Sequence, residues 1–223
     1  DVLVSNTGQI MIATRDGGIY TSDNDGSSWN ESSFPHQTVN VLVQIDGTTL
    51  LAGTDKLGIY KTANSGLSWN SANIGLSEFQ INAFVVDTAG IVYTATEAGV
   101  YKSTNNGNSW SSSSNGMNGT EVLSFLVDTT GTIFAGTRGN GIFYSADSGA
   151  TWTQFNNVLT NETILSLGID NSGVLYAGVQ NMGIYRSSNA GLTWFKKTTG
   201  IGNLNVKSIQ FVDDGVNGYL LRS

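Results

Sequence analysis

The sequence predicts an all-β protein, and three observations lead to that prediction. Short stretches rich in Val, Ile, Leu, Tyr and Thr alternate with clusters of Gly, Asn, Ser and Asp, which is the pattern of strands and tight turns. No long segment has the apolar spacing of an amphipathic helix. Similar phrases also return at a regular interval along the 223 residues, so the chain is a tandem repeat.

Tryptophan marks the repeat. The five tryptophans are 40, 41, 42 and 42 residues apart: Trp29, Trp69, Trp110, Trp152 and Trp194. Each one closes an eight-residue segment that we call a tryptophan turn: Ser22–Trp29, Thr62–Trp69, Ser103–Trp110, Ser145–Trp152 and Ser187–Trp194. A Gly–Ile/Val–aromatic triplet precedes each tryptophan turn, and two further apolar runs lie upstream of the triplet.

One repeat reads as four short strands, which in the fourth copy are VLSFLVD, TIFAGT, GIFYSAD and TWTQF. Four antiparallel strands in about 40–50 residues, repeated with an aromatic landmark, indicate the blade of a β-propeller. The predicted fold is therefore a β-propeller of four-stranded antiparallel blades, forming one domain over residues 1–223. We expect blades at residues 1–34, 35–75, 76–117, 118–159 and 160–201, and a partial sixth blade at residues 202–223.

The sequence leaves the total number of blades open. Asn205–Gly215 is expected to form the first strand of the sixth blade and Gly218–Ser223 the second. A five-bladed ring with a surplus hairpin, a six-bladed ring completed by further strands, and a segment of a larger ring are all compatible with this pattern. The chain begins with Asp1 rather than Met, as a processed secreted protein or a fragment would.

The tryptophan turns resemble the Asp-box, or BNR repeat, whose pattern is Ser-x-Asp-x-Gly-x-Thr-Trp. This repeat occurs in sialidases, xyloglucanases, sortilin-type receptors and photosystem II assembly factor propellers. The Asp position is Asp147 in the fourth copy and Asn in the others: Asn24, Asn64, Asn105 and Asn189. The resemblance implies that these residues and the five tryptophans are structural and lie away from the active face. We expect the glycine of each turn to have a positive φ and each tryptophan to be buried between blades.

Candidate ligand-binding residues lie in the loops between the second and third strands. Equivalent positions there hold a mixed polar set: Arg15, Asp55, Glu97, Arg138 and Gln180, with Arg222 as a candidate sixth member. These side chains either hold a polar ligand, such as a sugar or a peptide, or form a self-neutralising ring around a water-filled channel. Aromatic and imidazole side chains in the loops between blades either stack on sugars or cap the gap between blades: Phe34, His36, Phe79 and Phe155.

Composition excludes several functions. The net charge is −7 and the ten Lys and Arg residues form no cluster, so we expect no nucleic-acid partner. The chain has no Cys, and its one histidine, His36, has no neighbouring metal-ligating residue in the sequence, so we predict no metal and no cofactor. No segment is apolar over the length of a transmembrane helix, so we predict no membrane insertion. Sequons at Asn30, Asn118 and Asn161 would accept glycans in a glycosylating secretory pathway.

The choice between an enzyme and a binding protein rests on the loops. Glycoside hydrolysis needs two carboxylates placed across the bond, and Asp55 and Glu97 are the candidates for such a pair. The strand 2–3 loops are short, however, and the enzymes that the chain resembles use long insertions there, so we assign no catalytic residue. The leading hypothesis is a non-enzymatic propeller, extracellular, at the cell surface or periplasmic, that binds a glycan or a protein. The alternatives are a fragment of a glycoside hydrolase and a structural or assembly-factor propeller.

Overall fold

The computed structural model describes residues 1–155 and 157–211. Over these residues the chain forms twenty strands and no helix. The strands make five antiparallel sheets of four strands each, and within every sheet the strands lie side by side in chain order. This arrangement confirms the predicted all-β fold and its four-stranded blades. No helix in the described residues is long and apolar enough to span a bilayer.

The first compact unit, Asp1–Ser112, contains three blades. Blade 1 consists of β1 (Val2–Val4), β2 (Ile10–Ala13), β3 (Ile19–Ser22) and β4 (Asn30–Glu31). Blade 2 consists of β5 (Val39–Gln44), β6 (Leu50–Thr54), β7 (Ile59–Thr62) and β8 (Asn70–Ser71). Blade 3 consists of β9 (Ile81–Val86), β10 (Val92–Thr96), β11 (Gly99–Ser103) and β12 (Ser111–Ser112).

The second compact unit, Ser113–Ser223, contains the other two blades. Blade 4 consists of β13 (Val122–Val127), β14 (Ile133–Thr137), β15 (Ile142–Ser145) and β16 (Thr153–Gln154). Blade 5 consists of β17 (Ile164–Ile169), β18 (Leu175–Val179), β19 (Gly183–Ser187) and β20 (Phe195–Lys196).

In blades 2 to 4 the second strand lies in the core of the blade. Every residue of β6, β10 and β14 is buried, because both faces of these strands carry apolar or small side chains. The fourth strands are instead very short, and each has only two residues. The fourth copy was predicted to pair over TWTQF, but only Thr153 and Gln154 do so. The backbone N–H of Trp152 instead donates to the carbonyl of Asn115, at 2.8 Å, outside the blade's own sheet.

The first strand of blades 2 to 5 contains a β-bulge near its start. The pairing register skips one residue in each strand, opposite the end of the second strand: Asn40, Asn82, Leu123 and Leu165. Bulges bend a strand and re-aim its side chains, and they are frequent beside binding sites. The end of the blade where the strand 2–3 loops begin is therefore distinct in backbone from the opposite end.

Beyond blade 5 the chain packs against that blade without forming a strand over residues 205–211. Val206 and Ile209 are buried in a cluster with Ile184, and the Ser166 hydroxyl donates to the carbonyl of Val206 at 2.8 Å. The predicted second strand of a sixth blade, Gly218–Ser223, lies outside the described residues, as does Arg222.

Candidate functional site

The tryptophan turns share one hydrogen-bond pattern, shown here by the second copy. The Asn64 side-chain oxygen accepts from the Thr62 hydroxyl at 2.8 Å and from the backbone N–H of Ser68 at 3.0 Å. The Thr62 hydroxyl oxygen in turn accepts the backbone N–H of Gly66 at 3.0 Å. Since each side chain satisfies backbone groups of its own turn, these residues are used internally.

The direction of one hydroxyl explains why Asp and Asn serve equally in this turn. The Asn64 amide nitrogen donates to the Ser68 hydroxyl oxygen at 2.9 Å. In the fourth copy the Thr151 hydroxyl donates instead to Asp147 Oδ2, at 2.6 Å. That hydrogen bond, together with those from the Thr151 N–H and the Ser145 hydroxyl, lowers the pKa of Asp147 to about 2. A hydroxyl can donate or accept, so it matches either side chain.

Two consecutive residues of each turn have a left-handed backbone. The predicted glycine is one of them, with φ of 87° at Gly66, and all five copies agree. The residue before it also has positive φ although it is not glycine: Asp25, Ser65, Asn106, Ser148 and Ala190. Sequence reasoning missed this second position because its residue types vary.

Four of the five tryptophans are buried as predicted, with 4–9% of their surface exposed: Trp69, Trp110, Trp152 and Trp194. The indole N–H of Trp110 donates to the carbonyl of Ala72 at 2.9 Å, and that of Trp152 donates to Ser113 at 2.6 Å. The prediction is wrong for Trp29, which is 39% exposed. The indole groups of Trp110 and Trp152 hydrogen-bond to the repeat before their own, whereas Trp29 lies in the first repeat of this sequence.

The five predicted ligand-binding residues directly follow or lie within two residues of the second strands, at one end of their blades: Arg15, Asp55, Glu97, Arg138 and Gln180. All are exposed except Asp55, which is half-buried. The loops are short, from residues 97–98 in the shortest to residues 14–18 in the longest. The Thr54 hydroxyl stabilises one of these loops by donating to the carbonyl of Gly58 at 2.8 Å. In another loop the Thr137 hydroxyl donates to the carbonyl of Gly141 at 2.7 Å.

Arg138 differs from the other four because it has a carboxylate partner. Its guanidinium forms a bidentate pair with Glu121, with 2.9 Å between Nη2 and Oε1. Sequence reasoning missed Glu121, which lies directly before β13 and therefore beside the end of β14. In the described part of the chain, the remaining four side chains make no hydrogen bond or ion pair: those of Arg15, Asp55, Glu97 and Gln180.

A polar pocket of about 480 Å³ lies beside Gln180 in the second unit, and it is lined by Leu165, Gln180, Asn203, Asn205 and Lys207. Leu165 is the unpaired residue of the β17 bulge. Asn205 is held by Asn181, whose N–H donates to the Asn205 side-chain oxygen at 2.9 Å. The pocket thus presents amide groups and one ammonium group around a hollow, and sequence reasoning found only Gln180 among them.

The aromatic residues between the blades divide into two groups. Phe34 and Phe155 are buried core residues, 4% and 8% exposed, and Phe34 packs edge-on against Trp69 at 5.5 Å between ring centroids. These two rings therefore fill gaps in the core. Phe79 is 43% exposed. The imidazole of His36 is exposed and lies 3.1 Å from the carboxylate of Glu31.

The described residues contain no cluster of three or more His, Asp or Glu side chains placed to hold a metal ion. Burial raises the pKa of Tyr185, and Glu162 adds to that shift. The Tyr176 pKa is raised as well, first by burial and then by the charge of Asp170.

Comparison with solved structures identifies the fold class. No known sequence family matches the chain, and no curated protein matches it either. The extracellular domain of BT4673 from B. thetaiotaomicron is similar over 96% of this chain and 35% of that one, with 20% identity and a TM-score of 0.64. The GH74 xyloglucanase from Xanthomonas campestris matches 91% of this chain and 40% of its own, with 13% identity and a TM-score of 0.74. YCF48 bound to D1 peptide matches 89% of this chain and 78% of its own, with 13% identity and a TM-score of 0.64.

These structures are β-propeller proteins, so the chain has a β-propeller fold. It spans only about a third of the length of the Bacteroides domain and 40% of the Xanthomonas enzyme. At these identities the likeness concerns the fold alone, and the site must be interpreted from its own residues.

Proposed function

We propose that this chain is a binding propeller, built from repeats of the Asp-box type, that recognises a polar protein or glycan ligand at the strand 2–3 end of its blades. The proposal includes an extracellular or cell-surface location and the division of residues 1–223 into five blades and a partial sixth at the predicted boundaries. The blade end that carries the strand 2–3 loops is the binding end, and the tryptophan turns are structural.

The observation that carries the proposal is the contrast between two sets of polar side chains. In the tryptophan turns, the side chains of the Asn or Asp and of its Ser or Thr partner form hydrogen bonds within the turn itself. At the strand 2–3 end, the side chains of Gln180 and Lys207 make no hydrogen bond or ion pair within the described residues, although both line a pocket. Polar groups left without protein partners on a rigid scaffold are available to a ligand.

The chemistry of the pocket sets the class of ligand. A glutamine amide offers two donors and one acceptor, and a lysine ammonium offers three donors. Such a set matches hydroxyl and carbonyl groups, which are the polar groups of glycans and of peptide backbones. Among the similar structures, one is bound to a peptide and another is a xyloglucanase, so β-propellers of this general shape accommodate both classes of partner.

Screening of the full chain on a glycan array and on a peptide array tests the proposal. We expect the wild-type protein to retain one class of probe, and Lys207→Ala to weaken that binding by about tenfold because a charged donor is lost. Lys196→Ala is the matched control, since Lys196 is an exposed lysine on β20 outside the pocket. Retention by neither array, or equal losses from the two alanine variants, would contradict the proposal.

A further inference from the structure

A second cleft lies in the unit formed by blades 4 and 5, at the opposite end of β14 from Arg138. It has a volume of about 340 Å³ and is lined by Asp128, Thr130, Thr132, Phe134, Tyr144, Ala146, Phe155, Ala190 and Leu192. Aromatic rings form its walls, the β13–β14 turn forms a polar rim, and Leu192 of the fifth tryptophan turn faces it with 67% of its surface exposed.

Within the described residues, one oxygen of the Asp128 carboxylate has partners and the other has none. Its Oδ1 accepts the backbone N–H groups of Thr130 at 2.8 Å and Thr132 at 2.9 Å, and also the Thr130 hydroxyl at 2.6 Å. No donor in the described part of the chain reaches Oδ2. The carboxylate is half-buried and lines the cleft, so one charged acceptor there is available to a ligand.

In two other blades, a tyrosine hydroxyl donates a hydrogen bond to the same oxygen of the equivalent aspartate. Tyr93 donates to Asp87 Oδ2 at 3.1 Å in blade 3, and Tyr176 donates to Asp170 Oδ2 at 3.2 Å in blade 5. Both tyrosines occupy the second position of the second strand. The residue there in blade 4 is Phe134, which has no hydroxyl group.

The same two blades also place a basic residue beside that tyrosine. Tyr93 pairs in register with Lys102, and Tyr176 pairs in register with Arg186. In blade 4 the register partner of Phe134 is Tyr144. In blades 3 and 5 a cation therefore lies beside the tyrosine that bonds the aspartate, whereas blade 4 has an aromatic ring in the place of that cation. Among the described residues, no lysine or arginine lines the cleft.

Phe155 gives the cleft its aromatic character. Its backbone N–H donates to Ile142 in the way that Ala72 donates to Ile59, so Phe155 stands where blade 2 has a small residue. The Phe155 ring stacks on Phe134 at 6.2 Å and contacts Tyr144 at 4.7 Å between centroids. Aromatic faces attract cations, and apolar walls accept the methylene stem of a long basic side chain.

We propose that this cleft binds a lysine or arginine side chain of a partner polypeptide. The charged head pairs with Asp128 Oδ2, the oxygen whose equivalent accepts a tyrosine hydroxyl in blades 3 and 5, and the stem lies along Phe155, Tyr144 and Leu192. The chain's net charge of −7 adds a long-range attraction for a basic partner. This site is separate from the pocket around Gln180, so either can fail without the other.

The test is an amide NMR titration of the full chain with Nα-acetyl-lysine methylamide, observed at the N–H signals of Thr130 and Thr132. We expect saturable shifts at millimolar probe, because a single side chain makes one charged and one aromatic contact. The neutral probe Nα-acetyl-norleucine methylamide should bind about tenfold more weakly or not at all, since it lacks the charge. Added salt should weaken the lysine probe, because the site is open to solvent.

Phe134→Tyr is the decisive variant, because it supplies the phenol that blades 3 and 5 already carry. It should reduce lysine binding about tenfold without lowering the melting temperature, since the new hydroxyl meets the unpartnered Oδ2. Tyr176→Phe in blade 5 is the matched control, and it should leave the shifts at Thr130 and Thr132 unchanged. Equal binding of the two probes, no saturable shift with lysine, shifts caused by methyl glycosides instead, or binding unaffected by Phe134→Tyr would each overturn the proposal.

Discussion

Replacement of Trp110 by alanine should destabilise the protein far more than the same replacement of Trp29. Trp110 is 5% exposed and Trp29 is 39% exposed, a difference of 34% of the residue surface. For a side chain of about 200 Å² this is about 70 Å², or about 1.7 kcal/mol at 25 cal/mol per Å². The indole hydrogen bond of Trp110 to the Ala72 carbonyl adds about 1 kcal/mol. We therefore expect Trp110→Ala to cost about 2–3 kcal/mol more than Trp29→Ala.

Urea unfolding followed by far-UV circular dichroism measures both free energies of unfolding on the same scale. A second pair separates the hydrogen bond from the packing. Trp110→Phe leaves the Ala72 carbonyl unpartnered, whereas the buried indole nitrogen of Trp69 has no hydrogen-bond partner in the described structure. Trp110→Phe should therefore cost about 1 kcal/mol more than Trp69→Phe. Equal costs for the two alanine variants would refute the inference that burial and the bond to the preceding repeat make Trp110 the more stabilising residue.

Two further predictions concern the turns and the contacts between repeats. The pKa of Asp147 is lowered to about 2, chiefly by the Thr151 hydroxyl, so its stabilising effect is full above about pH 4 and is lost as the pH falls through about 2. Unfolding measured between pH 2 and 5 should show that Asp147→Asn removes part of this pH dependence; an unchanged profile would exclude the effect. In Gly75→Ala the new Cβ would lie 2.0 Å from the Trp110 carbonyl oxygen, at a φ of 88°, so we expect a loss above about 2 kcal/mol. Gly90→Ala has a similar φ of 80° with nothing within 4 Å, and a cost as large as that of Gly75→Ala in urea unfolding would show that the clash is unimportant.

The sequence predicts the blades well because their determinants are local. Hydrophobic runs, turn glycines and the recurring tryptophan all lie within one repeat, so their spacing indicates four strands before any long-range contact is known. The use of Asn in place of Asp is likewise a local matter, since the Asn64 side chain bonds within its own turn. The exposure of Trp29 was not predictable in this way, because its burial depends on the surface presented by another repeat.

The candidate site was predicted only in outline for the same reason. Position in the repeat places Gln180 and Arg138 at the strand 2–3 end of their blades, but the residues around them come from distant parts of the sequence. Glu121 pairs with Arg138 across 17 residues, and Asn205 reaches Asn181 across 24 residues. The cleft beside Asp128 depends on a missing phenol, which is recognised only when the hydrogen bonds of the other blades are compared with its own.

Hydrogen–deuterium exchange of the full chain, with and without the glycan or peptide that the arrays select, tests the central claim most directly. The account predicts that the ligand slows exchange in the loops after β14 and β18 and around residues 203–207, while the tryptophan turns of blades 1 to 3, which line neither proposed site, exchange at unchanged rates. Protection confined to the tryptophan turns, with the strand 2–3 loops unaffected, would contradict the assignment of the binding end.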